Sequence, residues 1–382
     1  MKGPGPSRKL LFAITGHGFG HATRSVEVLR EMLQASADVE ITVSSTAPRR
    51  FFERGVGRNI PIRAEAYEPG TIQKNCFEVD IAATREAYRG YLAERRGKVE
   101  AEVDFLRAGG FDGVISDIPA IPIAAASRLG LRTAGLWNFT WDWILEPILQ
   151  GVRGEPELAD VPRLLQEDYA RSGLHLKLPF SPSETPLPHV EPAPLIARKS
   201  RADREATLGS LGLRAADPRP VILVAMGGWE CRDWDPIDVQ GCEGLRFLVV
   251  GDVPMRARAE VTRISAILEA GCAFSDLVAA ADAVLTKPGY GIASECVLNR
   301  TPLLGVERRG FREAPELIRD LVELGRFEEI SIADFFQGRW EPPLRTLLAS
   351  ERPWARVEED GARRVAARLC EHFSLATAGG LP

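Results

Sequence analysis

Short runs of β-branched and aliphatic residues alternate with longer amphipathic stretches along the whole chain. In the first half the apolar runs are KLLFAIT (9–15), VEITVSS (39–45), IPIRAEA (60–66), DGVISD (112–117) and LRTAGLW (131–137), each the length of a strand. Between them, 22–34 keeps Val26, Leu29 and Leu33 at helical spacing, and 80–106 carries mixed charge over several turns. The second half restarts the pattern with PVILVAMGG (220–228), LRFLVVG (245–251), DAVLTKP (282–288) and TPLLGVE (301–307). Strands that alternate with crossover helices predict an α/β fold of parallel, doubly wound sheets with helices on both faces.

The stretch LPFSPSETPLPHVEPAP (178–194) is dense in proline, which cannot build a helix or a central strand. It is the predicted boundary, giving one Rossmann-like domain over 1–185 and a second over 186–353. A helical pattern from 354 to 373 follows the broken segment QGRWEPPLRTLLASERPW, so 354–382 is a terminal helix that either crosses back onto the first domain or caps its own.

Composition narrows the function more than the fold. A length of 382 residues exceeds one compact core, and 45% hydrophobic with 26% charged residues is ordinary globular usage. The net charge of −5 gives no footprint for nucleic acid or an anionic membrane. No apolar run approaches the ~18 residues of a membrane span, and the apolar stretch near the amino terminus is too short for a signal peptide, so a cytoplasmic protein is expected. Six cysteines (Cys76, Cys231, Cys242, Cys272, Cys296, Cys370) lack CxxC spacing and read as reduced thiols. Nothing in the sequence reports the oligomeric state.

The first strand runs directly into Gly16-His17-Gly18-Phe19-Gly20-His21 and then a helix. Glycines at such a turn let a ligand approach the backbone amides beyond the carboxyl end of the sheet. The spacing is GxGxG, without the acidic residue a dinucleotide site needs at the end of the second strand, and the GK[ST] of a Walker loop is absent. Two of the five histidines lie in this turn. Histidine titrates near neutrality, so His21, at the start of the helix, is the candidate general base. His17 either contacts substrate or caps a neighbouring turn. His175, His189 and His372 are isolated and read as structural. Asp117 ends strand DGVISD and could orient His21 or the acceptor. In Trp137-Asn138-Phe139-Thr140-Trp141-Asp142-Trp143, aromatic faces could stack on a sugar or a flat acceptor while Asn138 or Asp142 binds hydroxyls, or the same aromatics could be core.

A second glycine turn, Lys287-Pro288-Gly289-Tyr290-Gly291, opens a helix whose first turn is expected to carry Ser294 and Glu295. Unpaired amides and the positive end of the helix dipole suit a diphosphate, and Glu295 one turn in could reach a ribose diol. Met226-Gly227-Gly228-Trp229 closes the first strand of this half and could admit a phosphate. The charged run 308–316 could hold sugar hydroxyls or be a solvated loop. Asp233-Trp234-Asp235 matches a DxD metal string, but two carboxylates on a short loop are common and no metal is expected.

The segments TGHGFGHATRSVEVLR, VISDIPAIPIAAASRLGL, LWNFTWDWI and KPGYGIASECV resemble the amino-terminal half of plant L-arabinokinases, a module of the GT-B glycosyltransferase fold. More loosely, GxGH after the first strand and a glycine turn followed by Glu resemble MurG-like and UDP-glucuronosyltransferase-like enzymes. Arabinokinases continue into a sugar kinase, for which this sequence has no counterpart motif, so kinase activity is not implied. The resemblance implies two Rossmann-like domains facing a crevice, with the donor held mainly by the second and the acceptor mainly by the first. It places His21 at the catalytic base and Glu295 at the ribose carboxylate, with Gly289, Tyr290 and Gly291 at the diphosphate turn. Glu313-Ala314-Pro315 replaces the Asn/Gln or Asp/Gln pair that many relatives present to the sugar, which leaves the sugar open.

The resulting expectation is an inverting, metal-independent glycosyltransferase with His21 and Asp117 as catalytic residues. Its co-substrate is a nucleotide sugar, expected to be UDP-linked, and no further cofactor is expected. Donor contacts are assigned to Gly227, Gly228, Lys287, Gly289, Tyr290, Gly291, Ser294, Glu295 and Glu313. Acceptor contacts are assigned to His17, Gly18, Phe19, Gly20, Asn138, Trp141 and Asp142. The alternatives on the same scaffold are a nucleotide-sugar 2-epimerase and a non-catalytic nucleotide-sugar binder.

Overall fold

The computed structural model describes residues 7–151, 154–228, 230–264 and 273–376. Trp229 and Cys272, named above, lie outside the described residues. The chain divides into two compact units. One holds the residues up to Ile72, Val79–Ile196 and those from Asp360 on; the other holds Gln73–Glu78 and Ala197–Glu359. The division therefore falls at 196/197 and 359/360, where the sequence suggested 185/186 and 353/354.

In chain order the strands are β1 (Arg8–Ile14), β2 (Val39–Ser44), β3 (Ile62–Arg63), β4 (Gln73–Asn75), β5 (Glu78–Val79), β6 (Gly113–Asp117), β7 (Arg132–Trp137), β8 (His175–Lys177) and β9 (Val190–Pro192). They continue with β10 (Val221–Ala225), β11 (Ile237–Val239), β12 (Arg246–Val250), β13 (Met255–Ala257), β14 (Glu260–Arg263), β15 (Ala283–Thr286), β16 (Leu303–Val306) and β17 (Phe327–Ile330).

The first unit is built on a seven-stranded sheet of order β3-β2-β1-β6-β7-β8-β9, parallel throughout. Leu10 to Ile14 are buried without alternation, as befits a strand covered on both faces. From β1 the chain winds outward through β2 and β3, then returns to β6 and winds the other way. The switch point therefore lies between the carboxyl ends of β1 and β6, where Ile14 pairs with Asp117. Helix Phe19–Ala35 leaves this point, and the carboxyl-terminal helix Gly361–His372 packs against it. Gly113 makes room for Phe373, whose ring would lie 2.5 Å from a Cβ there.

The second unit has a six-stranded parallel sheet of order β14-β12-β10-β15-β16-β17, with its switch point between β10 and β15. β11 and β13 form a separate parallel pair. Cys76 and Phe77, which follow β4, are buried in the core of this unit among Ile237, Phe335 and Trp340. The Phe77 carbonyl accepts from the Arg309 amide at 2.7 Å.

Several elements differ from the pattern-based expectation. Only Ile62–Arg63 of 60–66 pairs as a strand. β8, β9, β11, β13, β14 and β17 are too short or too polar to stand out as apolar runs. β9 falls inside the proline-rich stretch, at the sheet edge where a missing amide costs no ladder bond. The broken segment near 340 contains helix Glu341–Ala349, because its two prolines occupy the first turn, where their missing N–H groups are not needed. The terminal helix spans Gly361–His372, shorter than 354–373.

Candidate functional site

At the switch point of the first unit, Gly18 caps helix Phe19–Ala35 with φ of 76°, a left-handed conformation that favours glycine. His21 is the third helical residue and only 7% exposed. Its Nδ1–H donates to Asp117 Oδ1 at 3.0 Å. Asp117 is fully buried and also accepts from Arg24 Nε (2.8 Å), Arg24 Nη2 (2.5 Å) and Ser25 Oγ (2.6 Å). Burial opposes ionisation of this carboxyl. The Arg24 guanidinium, with His21, outweighs it and holds Asp117 well below the usual carboxylate range. An ionised Asp117 fixes the imidazole tautomer with its proton on Nδ1 and its basic lone pair on Nε2. The next residue, Ile118, has φ of 83°, a strained conformation for a β-branched side chain.

The other residues assigned to this unit are distributed around that pair. Asn138 accepts from Arg24 Nη1 at 2.6 Å through Oδ1, and its Nδ2 has no partner among the described residues. Phe139 meets the His21 ring edge-on at 5.5 Å. His17 donates through Nε2 to the Thr71 carbonyl at 3.1 Å and packs edge-on to Trp141 at 5.2 Å, which ties its loop to the 70–71 segment. Trp141 is buried, and its Nε1 has no partner among the described residues. Asp142 lies in the first turn of helix Trp141–Leu149, where burial raises its pKa. Phe19 stacks on Phe51, and Gly20 lies in the first helical turn. His175 accepts from Trp137 Nε1 at 3.1 Å and donates to the Tyr169 carbonyl at 2.9 Å. Burial lowers its pKa to about 4, which keeps it neutral.

At the switch point of the second unit, Gly227 and Gly228 turn away from β10 with φ of 62° and 77°. A Cβ on Gly227 would lie 3.4 Å from Lys287 Nζ. Gly289 caps helix Tyr290–Asn299 in an extended conformation, so Tyr290 and Gly291 are already helical. Ser294 Oγ donates to the Gly291 carbonyl at 2.9 Å. Glu295 therefore lies in the second turn and not the first, and its Oε1 accepts from Arg198 Nε at 3.2 Å. Glu313 accepts from Arg308 Nη1 at 3.0 Å. Asp233 and Asp235 are exposed, and among the described residues no group of three His, Cys, Asp or Glu is placed to hold a metal.

Sequence reasoning missed Arg24 and Arg198. Arg24 was within reach, because it follows His21 at i+3 on one helical face. Arg198 meets Glu295 across 97 positions, and no local pattern links them.

No family model matches the chain. It is 29% identical over 351 residues to L-arabinokinase of Arabidopsis thaliana, a match covering 90% of this chain and 32% of that protein. The chain thus spans about a third of the length of the curated relative it matches. Among solved structures it superposes on the glycotransferase of kitacinnamycin with a TM-score of 0.63 and 14% identity, covering 97% of this chain and all of that one. It also superposes on a putative UDP-N-acetylglucosamine 2-epimerase from Listeria monocytogenes with a TM-score of 0.52 and 12% identity, over 96% and 97% of the two chains. With two parallel, doubly wound units and these structural neighbours, the chain has the GT-B fold of glycosyltransferases.

Proposed function

We propose that the protein is an inverting glycosyltransferase that moves a sugar from a nucleotide-diphosphate sugar, UDP-linked in the first instance, to an acceptor hydroxyl. The observation that carries this reading is the 3.0 Å bond from His21 to a buried, ionised Asp117 at a sheet switch point. A hydroxyl is a weak nucleophile until a positioned base takes its proton. In this reading Nε2 of His21 takes the acceptor proton while the acceptor oxygen attacks the anomeric carbon. The bond from that carbon to the diphosphate breaks with the electron pair leaving on phosphate oxygen. A single displacement inverts the anomeric centre. Asp117 holds the ring in the required tautomer and stabilises the imidazolium that forms.

The acceptor is assigned to the first unit, near Gly18–Gly20, His17, Asn138, Trp141 and Asp142. The donor is assigned to the second, with Gly227, Gly228, Lys287, Gly289, Tyr290, Gly291, Ser294 and Glu313 around the diphosphate and sugar, and Glu295 at the ribose. The amino terminus of helix Tyr290–Asn299 would stabilise the leaving diphosphate without reorganisation. Turnover is accordingly expected to survive EDTA; loss that magnesium or manganese restores would assign Asp233 and Asp235 a metal.

The test is a thermal-shift screen of nucleotide sugars, followed by product analysis of the stabilising ones with a panel of hydroxyl acceptors. Transfer with inverted configuration is the expected product. An epimerised nucleotide sugar, or a bound donor that no acceptor consumes, would replace the reading with the 2-epimerase or the non-catalytic binder.

A further inference from the structure

Beside β15 and β16, two cations lie near one carboxylate, which pairs with one of them. The Arg308 side chain is 4% exposed, with Cζ 3.4 Å from the centroid of the Phe311 ring. It donates through Nη1 to Glu313 and to the Pro288 carbonyl (3.0 and 3.1 Å), and its Nε has no partner among the described residues. Lys287 precedes Pro288 and lies against Gly227, and its ammonium makes no hydrogen bond or ion pair among the described residues. Among the described residues, the ionisable groups that act most strongly on Lys287 are Arg308, Cys76, Glu313 and Cys231. Burial pushes both thiols up to about 12, so they are neutral, and Glu313 is the one negative charge in the group. Buried charge is costly unless paired, and the described residues leave this cluster one positive charge in excess.

We propose that Lys287 and Arg308 form a paired-cation seat for the diphosphate of a nucleotide, and that Lys287 takes up a proton from solvent as the diphosphate arrives. The inference rests on the donor-site reading above and specifies which side chains neutralise the phosphates and how pH governs the site. Burial, and then the Arg308 charge, lower the Lys287 pKa to about 8. A seated diphosphate reverses the sign of the local field and returns the amine toward its ordinary value of about 10.4. The amine is mostly charged near pH 7, so uptake is then small. Uptake grows as pH rises through about 8. The terminal phosphate of a nucleoside diphosphate, with a pKa of about 6, is about nine-tenths ionised at pH 7 and essentially fully above pH 8, so its own titration adds at most about a tenth of a proton to that rise.

The experiment is titration calorimetry of the full chain with UDP, ADP, GDP and dTDP. At each pH, buffers of different ionisation enthalpy give the number of protons taken up. At least one nucleotide is expected to bind with uptake that rises from pH 7 to 9. Lys287→Arg should keep affinity within about threefold and abolish the uptake, since arginine stays charged at every accessible pH. Lys287→Met should weaken binding about tenfold or more. Arg308→Met should weaken binding and also shrink the uptake at pH 8, because the lysine loses the neighbour that helps to depress it. Uptake absent or independent of pH, affinity and linkage unchanged in Lys287→Met, or no binding of any of the four nucleotides would overturn the seat. Linked binding by a protein that transfers no sugar would retain the seat and remove the transferase reading. Transfer accompanied by unlinked binding would do the reverse.

Discussion

The imidazole of His21 has its orientation set by a carboxylate that four donors hold in place, one of them the imidazole itself. His21→Ala should slow transfer by about 10²- to 10⁴-fold while leaving donor affinity near parental in calorimetry. Retention of more than about a tenth of the rate would take the base role from His21 and move it to Asp142, because Asp117 is buried and too weakly basic to serve. His17→Ala, which removes the bond to the Thr71 carbonyl, should lower thermal stability and raise the acceptor KM, without the loss of kcat expected of His21→Ala. Glu295→Ala should weaken nucleotide binding by about 1–3 kcal/mol, and the orphaned Arg198 should lower the melting temperature as well. An unchanged affinity for every nucleotide would take Glu295 out of the site. His21 and Asp117 were legible in the sequence because each ends or begins an element at a switch point, where residue type and topology point the same way. Arg24 could be reached from its i+3 spacing to His21, but its pairing with Asp117 could not, since only the sheet order brings that carboxylate to the helix.

Helix Ile121–Arg128 begins without a side-chain cap of its own, and Glu68 supplies one from another segment. Its Oε1 accepts from the Ala120 and Ile121 amides at 2.9 and 3.0 Å. Burial nevertheless raises the Glu68 pKa to about 7, against about 4.3 in an unfolded chain. Between those values the folded state binds more protons than the unfolded one, so the stability Glu68 contributes is present at acid pH and lost as pH rises through 7. Glu68→Gln should therefore gain melting temperature relative to the parent between about pH 5 and pH 8. A difference that stays constant across the range would show that Glu68 titrates normally. The central parallel strands were readable because burial on both faces makes them unbroken apolar runs, as β1, β10 and β15 are. The edge strands β9 and β14 were not, because a strand with one free edge needs little apolar surface and tolerates proline or charge.

On the scale of the whole molecule, the second unit borrows part of its core from the first half of the sequence. Phe77 stacks on Trp234 at 5.6 Å and meets Phe335 edge-on at 5.3 Å. Phe77→Ala should cost about 3–5 kcal/mol, as for other buried aromatics. Hydrogen exchange should locate the loss in β10, β12 and β15, with β1 and β6 keeping their protection. Equal loss in both sheets would mean that the units unfold as one. No hydrophobic pattern could have announced this, because six residues cannot show which sheet they will join. The same path governs how the protein is made. As the chain leaves the ribosome, the plug around Phe77 emerges more than a hundred residues before the unit that will enclose it. The first unit in turn lacks its closing helix Gly361–His372 until after that second unit has emerged. Neither half can finish in the usual amino-to-carboxyl order of domain folding, so both are completed late and nearly together. Until then Phe77 and an uncovered helix face are open to chaperones and proteases, so the length of that interval, together with the final stability, governs how much folded protein accumulates.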